Sequence, residues 1–170
     1  MNLAYHHLIN PSFHPQSKVW VYQANRLLTI NEAFVAEDML TEFVANWKSH
    51  GDGVKAEGYL FFGQFVVLMA DESEVHVGGC STDSSVRFIK LLGERLNVDF
   101  FDRNLLAFVI KDKVQVLPYA QVPYAVSNHF ITPETLYFNN LVATKQELQD
   151  NWLIPVQDSW LAKRVLQPQP

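Results

Sequence analysis

A single cysteine, Cys80, stands in the 170 residues, so no intramolecular disulfide can form. That usage suits a reducing compartment. Catalytic signatures are missing too. There is no G-x-x-x-x-G-K-[ST], hence no P-loop, no G-x-G-x-x-G behind a strand, no G-x-S-x-G, no H-E-x-x-H and no C-x-x-C. These absences argue against a nucleotide-hydrolysing motor. Positive charge is sparse: 13 Lys and Arg face 18 Asp and Glu, a net charge of −5. The longest basic run is Lys163-Arg164, so neither a nucleic-acid stripe nor a patch for an acidic membrane is expected. No apolar run approaches the ~18 residues that span a bilayer. The central stretch 58-GYLFFGQFVVLMA-70 is broken by Gly63 and Gln64. The opening MNLAYHHLINPSFHP has no basic n-region and no continuous apolar h-region, so it does not read as a secretory signal. A cytoplasmic setting is the default expectation.

What the chain has is apolar and aromatic bulk. Hydrophobic residues make up 48%, with 12 Phe and 4 Trp, enough for a full core in one domain. Residues 1–17 show no period and read as an irregular arm. Residues 18–24 are β-branched and aromatic, a strand. The box 29-TINE-32 then opens a helix, because Thr29 can accept from the N–H three residues on while Glu32 reaches back. Its stripe runs through Ala33, Ala36, Leu40, Phe43 and Trp47, and 50-HGDG-53 is the expected stop. Residues 57–62 and 64–70 predict a hairpin about Gly63-Gln64. A second helix carries Phe88, Ile89, Leu92 and Leu96 on one face and Arg87, Lys90, Glu94 and Arg95 on the other. Two strands follow, 105–110 and 113–117, turning at Lys111-Asp112. The fold class predicted is therefore α+β: an antiparallel sheet with helices on one face, in ferredoxin-like βαββαβ order over 18–117. Residues 118–170 form a C-terminal extension. Within it, 135–138 reads as a strand, 144-TKQE-147 as a second capping box, and 153–165 as a tail packed through Ile154, Val156 and Trp160. The extension either covers the open sheet face or completes a partner's sheet.

The stretch 78-GGCSTDSSV-86 is the main candidate site. The first turn of a helix has unpaired N–H groups at the positive end of a dipole. The glycines let a ligand approach the backbone, so Gly79, Cys80, Ser81, Thr82, Asp83 and Ser84 are candidate residues for a small anion. The same field favours a thiolate, making Cys80 a candidate nucleophile. The plainer alternative makes Ser81, Thr82 or Asp83 the N-cap and Cys80 a small buried hydrophobe. In a split βαβ sheet the end of the first helix lies at the same edge. Trp47 and His50 are therefore added to the ligand-binding candidates, and His50 could polarise Cys80, or simply cap the first helix. His6, His7 and His14 match no zinc spacing and His76 and His129 have no companions, so no metal or other cofactor is predicted. Asp102-Arg103 reads as a turn with a local ion pair, Arg26 as a surface cation or an anion contact, and 158-DSW-160 as an N-cap followed by an aromatic anchor.

The segments VWVYQANR (19–26), W-x-x-H-G (47–51), GCSTDSSV (79–86), FFDR (100–103), FNNLV (138–142) and DSW (158–160) together resemble a family of small uncharacterised Bacteroidetes proteins. Its members often carry the label "ABC transporter ATPase". The likeness runs from about Val19 to Trp160. It implies a bacterial, cytoplasmic protein and carries over no catalytic role, and the ATPase motifs are those found missing above. The leading expectation is a non-enzymatic binding or interaction protein, with a small anion or another protein as partner. Its site would lie at the edge formed by 47–53 and 78–84. One alternative is a thiol-dependent enzyme using Cys80 with His50. Another is a structural homodimer formed through exposed aromatics such as Trp20 or Tyr22.

Overall fold

The computed structural model describes residues 1–165, so positions 166–170 of the expected extension lie outside the described residues. Along the chain come β1 (Lys18–Gln23), α1 (Ile30–Asn46), the short strands β2 (Lys48–Ser49) and β3 (Asp52–Gly53), β4 (Lys55–Phe61) and β5 (Phe65–Asp71). Then follow α2 (Gly79–Leu96), β6 (Leu105–Ile110), β7 (Lys113–Pro118), α3 (Val122–Ser127), β8 (Leu136–Phe138), α4 (Lys145–Asn151), β9 (Leu153–Pro155) and α5 (Ala162–Val165). All the sheet pairings are antiparallel.

Local chemistry sets most boundaries. At α1 the capping box closes in both directions: Thr29 Oγ1 accepts from Glu32 N–H, and Glu32 Oε2 accepts from Thr29 N–H at 2.7 Å. Arg26 holds the same Glu32 through both guanidinium nitrogens and also donates to the Leu96 carbonyl, tying the start of α1 to the end of α2. At α4, Thr144 accepts from Glu147 N–H, but the Glu147 side chain accepts from Ala143 N–H rather than from the cap itself. The β4–β5 hairpin turns at Phe62 (φ 56°) and Gly63 (φ 62°), and β6–β7 turns at Lys111 and Asp112 (φ 50° and 57°). Positive φ at both central residues is the I′ geometry that suits twisted two-strand ribbons.

The chain mixes helices with antiparallel sheets as expected, and a β2–β3 ribbon is inserted after α1, but the expected single sheet does not form. The first sheet has the order β1-β5-β4 and the second β7-β6-β8-β9. β6 pairs with β7 and β8 instead of lying against β1. Its two neighbours leave it no free edge.

The layers follow from which faces are apolar. Alternation along β1 sends Trp20 and Tyr22 toward α1 and α2, where they join Leu40, Leu68, Ile89 and Leu92. Val19, Val21, Phe65, Val67 and Met69 face the other way, onto Ala107, Phe138 and Trp152. The outer face of the second sheet, with Phe108 and Tyr137, is covered by α3 through Val122 and Ala125, by Leu161, and by α5 through Val165. Residues 118–165 thus cover the outer face of the second sheet. The arm at 1–17 is irregular except for a 3₁₀ turn at His6–Leu8, but it is anchored in the core. Tyr5, Ile9 and Phe13 are buried, Tyr5 Oη donates to Leu148 O, and the buried Lys145 ammonium donates to Phe13 O at 2.6 Å.

Two tests probe this frame. Asp71, buried at the end of β5, accepts from Lys55 Nζ, the Ser73 hydroxyl and N–H, and His14 N–H. Burial alone would raise its pKa, but these donors hold it well below the usual carboxylate range. A depressed folded pKa stabilises above the unfolded value of about 3.9 and loses that stabilisation as pH falls below it. Unfolding free energy should therefore drop below about pH 4. Asp71→Ala should cost about 2–4 kcal/mol at pH 7 and flatten that drop; an unchanged acid limb would refute the assignment. At Gly93 an added Cβ would stand 2.8 Å from the Val98 carbonyl oxygen. Gly→Ala inside a helix normally gains about 1 kcal/mol. Gly93→Ala should instead lower stability in urea by about 1–3 kcal/mol, and an equal or higher midpoint would show that the backbone yields.

Candidate functional site

The edge predicted from 47–53 and 78–84 does assemble. Trp47 Nε1 donates to Ser81 O at 3.0 Å, Ser81 Oγ donates to Lys48 O at 3.1 Å, and Ser49 Oγ donates to His76 O at 2.6 Å. These bonds stitch the start of α2 to the β2–β3 ribbon. They also use up part of the expected site. Trp47 and Ser81 are buried, and Trp47 lies among Phe43, Trp20, Val54 and Val77. Gly79, Cys80, Asp83 and His50 are exposed, while Thr82 and Ser84 are half-buried.

Three local expectations are corrected. α1 ends at Asn46, before 50-HGDG-53, because Trp47 turns extended to reach Ser81. His50 (φ 53°) and Gly51 (φ 95°) then form the β2–β3 turn, and His50 caps no helix. α2 starts at Gly79 with Gly78 as N-cap, earlier than the cap expected at Ser81, Thr82 or Asp83. The hydroxyls bond carbonyls instead: Thr82 to Gly78 O, Ser84 to Ser81 O and Ser85 to Thr82 O. A hydroxyl inside the first turn reaches back to a carbonyl more readily than to an N–H ahead of it. Third, Cys80 is exposed, not a buried hydrophobe. Among the described residues no hydrogen bond joins Cys80 to His50, whose Nε2 rests against Gly78, 3.2 Å from where a Cβ would stand.

A larger feature lies on the other side of the first turns of α2. A groove of about 940 Å³ runs along the outer edge of β1. Its floor is β1 from Lys18 to Gln23. Thr82 and Val86 of α2 and the loop 100–103 form one wall, and Leu105, Tyr137 and the 140–144 turn form the other. Segments 19–26, 79–86, 100–103, 138–142 and 158–160 meet here, through Val21, Val86, Phe101, Leu141 and Trp160 among others. Gln23 holds the far end open: its Nε2 donates to Leu105 O and its Oε1 accepts from Asn140 Nδ2. Trp160 Nε1 donates to the Tyr137 hydroxyl at 3.2 Å, and Tyr22 meets Phe101 edge-on. Burial pushes both phenols, Tyr22 and Tyr137, upward, so they remain neutral hydrogen-bonding groups at physiological pH.

Four charged residues line the groove: Lys18, Glu72, Asp102 and Arg103. Lys18 pairs with Glu72 at 3.0 Å at one end. Asp102 accepts from Asn104 N–H, and the expected Asp102–Arg103 ion pair is absent among the described residues, since the Asx turn already holds that carboxylate. Arg26 is no free anion contact, being taken by Glu32 and Leu96. In 158-DSW-160, Ser159 ends the 3₁₀ turn at 156–158 and its hydroxyl accepts from Leu161 N–H, and the buried anchor is Leu161, not Trp160. Among the described residues no cluster of three His, Cys, Asp or Glu is placed to hold a metal ion, and no helix is long and apolar enough to cross a membrane. Trp20 and Tyr22 are half-buried against α1, α2 and the groove, so they are not the exposed aromatics expected for a dimer.

Sequence reasoning missed the groove because its walls come from six separated segments. Leu141, which is 74% exposed after two asparagines, was the one local signal of an apolar rim. Family models, curated proteins and solved structures offer no match to this chain.

Exposure of Cys80 generates a direct test. Iodoacetamide should modify one thiol per chain in the native protein, without denaturant, and Cys80→Ser should abolish the label. Protection until unfolding would mean that the first turn of α2 is covered in solution.

Proposed function

We propose that this protein acts by binding, with the groove beside β1 as its site. The carrying observation is the groove itself: about 940 Å³, apolar and aromatic on its walls, with amide and hydroxyl groups of Gln23, Asn140 and Thr82 among them. That mixture of apolar walls and a few placed polar groups is the usual make-up of a ligand site. Convergence of the family-like segments on the same place supports the reading. Membership of the Bacteroidetes family and a cytoplasmic setting belong to the proposal, as does taking β1, β4 and β5 with their two helices as the larger part of a ferredoxin-like unit.

A small anion at the start of α2 is a second reading. It is favoured by the absence of any side-chain cap on Gly79, Cys80 and Ser81, and by open space around Gly79. A panel of sulfate, phosphate and small carboxylates should then raise the melting temperature, and His50→Ala or Asp83→Ala should alter the shift. No response to the panel would end that reading.

The groove is tested by screening a mixture of small organic fragments and short capped peptides against the wild type and Ala143→Trp. Ala143 is an exposed lining residue, so the indole fills the groove without entering the core. A ligand at one hundred times its Kd adds about 2.7 kcal/mol, roughly 5–10 °C for a chain of this size. Hits should lose their effect in the variant. Equal shifts in both proteins, or no hits at all, would overturn the groove as the site.

A further inference from the structure

Resting on the groove reading, we propose the class of occupant: a short, uncharged stretch of extended polypeptide that adds to the outer edge of β1 as an antiparallel strand. Lys18, Trp20 and Tyr22 are opposite Ala70, Leu68 and Val66 of β5; Val19 N–H and Asn25 N–H bond outward, to Ala143 O and Asp99 O, so the odd residues of β1 turn their main-chain groups away from β5. That outer ladder is filled at both ends. Val19 N–H donates to Ala143 O and Lys145 N–H donates to Ser17 O, an antiparallel bridge centred on Lys18 and Thr144. Past the other end, Asn25 N–H donates to Asp99 O. Between them, Val21 and Gln23 turn N–H and C=O into the groove with no hydrogen-bond partner among the described residues.

The molecule therefore starts a strand on this edge and abandons it. Running from Thr144 back toward Asn140, the chain leaves β1 after Ala143 and swings out to become the groove's far wall. Two rungs stay open, spaced as alternate residues of a strand. Extended polypeptide is the ligand whose donors and acceptors repeat with that spacing, and sheet edges recruit it through the same groups. Continuing the direction of 143–145 makes the added strand antiparallel, with a three-residue core. Its outer two residues exchange main-chain bonds with Gln23 and Val21. Its middle side chain sits beside Tyr22 on the α2 side, and the flanking ones point with Val21 toward Leu106. Charge decides the composition. Lys18 is already paired with Glu72, Asp102 and Arg103 are exposed at the rim, and the walls beside Val21 are apolar, so a charged side chain seated beside Val21 would be desolvated.

The test uses the full chain and the capped tripeptide Ac-Val-Leu-Val-NH2, titrated by amide NMR. Saturable binding is expected, with slowed hydrogen exchange at Val21 and Gln23. N-methylation of the C-terminal Val removes the donor to Val21 C=O and should weaken binding roughly five- to tenfold. N-methylation of the central Leu, whose N–H faces away from β1, should leave affinity unchanged. Equal affinity of all three peptides would mean recognition by side chains alone and would overturn strand addition. So would the absence of peptide binding while small fragments still stabilise the wild type and not Ala143→Trp; in that case the groove reading stands and the peptide inference falls. If neither peptides nor fragments bind, both fall.

Discussion

The structure depends on burying β5. All seven of its residues are buried, and six of them, 65-FVVLMA-70, carry no charge. Such a strand must be covered on both faces and paired on both edges. β1 and β4 supply the edges, α1 and α2 one face, and the second sheet with the arm the other. Each large apolar side chain sealed this way contributes about 1.5–3 kcal/mol, so the covering layers are held by β5 more than by their own short hydrogen-bond ladders. Asp71 ends the run, and its carboxylate gathers Lys55, Ser73 and His14 where the strand meets water.

Covering β5 with a second sheet has a consequence at β1. A single sheet would place β6 against the outer edge of β1. Here β6 is committed to β7 and β8, and the two sheets stack face to face. The edge of β1 is left beside the seam between them. Exposed strand edges invite unwanted pairing, and this one is shielded by depth. The bridge at Lys18 and Thr144 covers its start, the Asp99 contact covers the chain beyond its end, and α2 and the 140–144 turn rise on either side. Gln23 acts as a spacer across the seam through Leu105 and Asn140.

Local features were legible in the sequence because their causes are local. The Thr29–Glu32 box, the turn at Lys111-Asp112 and the apolar stripe of α2 need only neighbours a few residues away. The juxtaposition of Trp47 with the start of α2 was also legible, since a split βαβ connection brings those ends together. The split into two sheets was not. An apolar run such as 105-LLAFVI-110 reads the same whether it pairs with β1 or with β7 and β8, and only long-range packing chooses. The arm was read as merely irregular because Tyr5, Ile9 and Phe13 follow no helix or strand period, yet each fills a gap in the core.

The candidate site shows the same division more sharply. A run of hydroxyls after two glycines signals a helix start, but the signal does not say whether those hydroxyls serve N–H groups or carbonyls. Here they serve carbonyls, because the cap of α2 is Gly78, at least three residues earlier than the hydroxyls suggest. Ser81 and Trp47 then become a buried clasp, and that clasp fixes the azimuth of α2 over the first sheet. With α2 so oriented, Thr82 and Val86, one and five residues past Ser81, turn toward β1 and form a wall of the groove. The stretch singled out in the sequence thus shapes the binding surface through its inward and sideways faces, and its exposed cysteine lies off that surface.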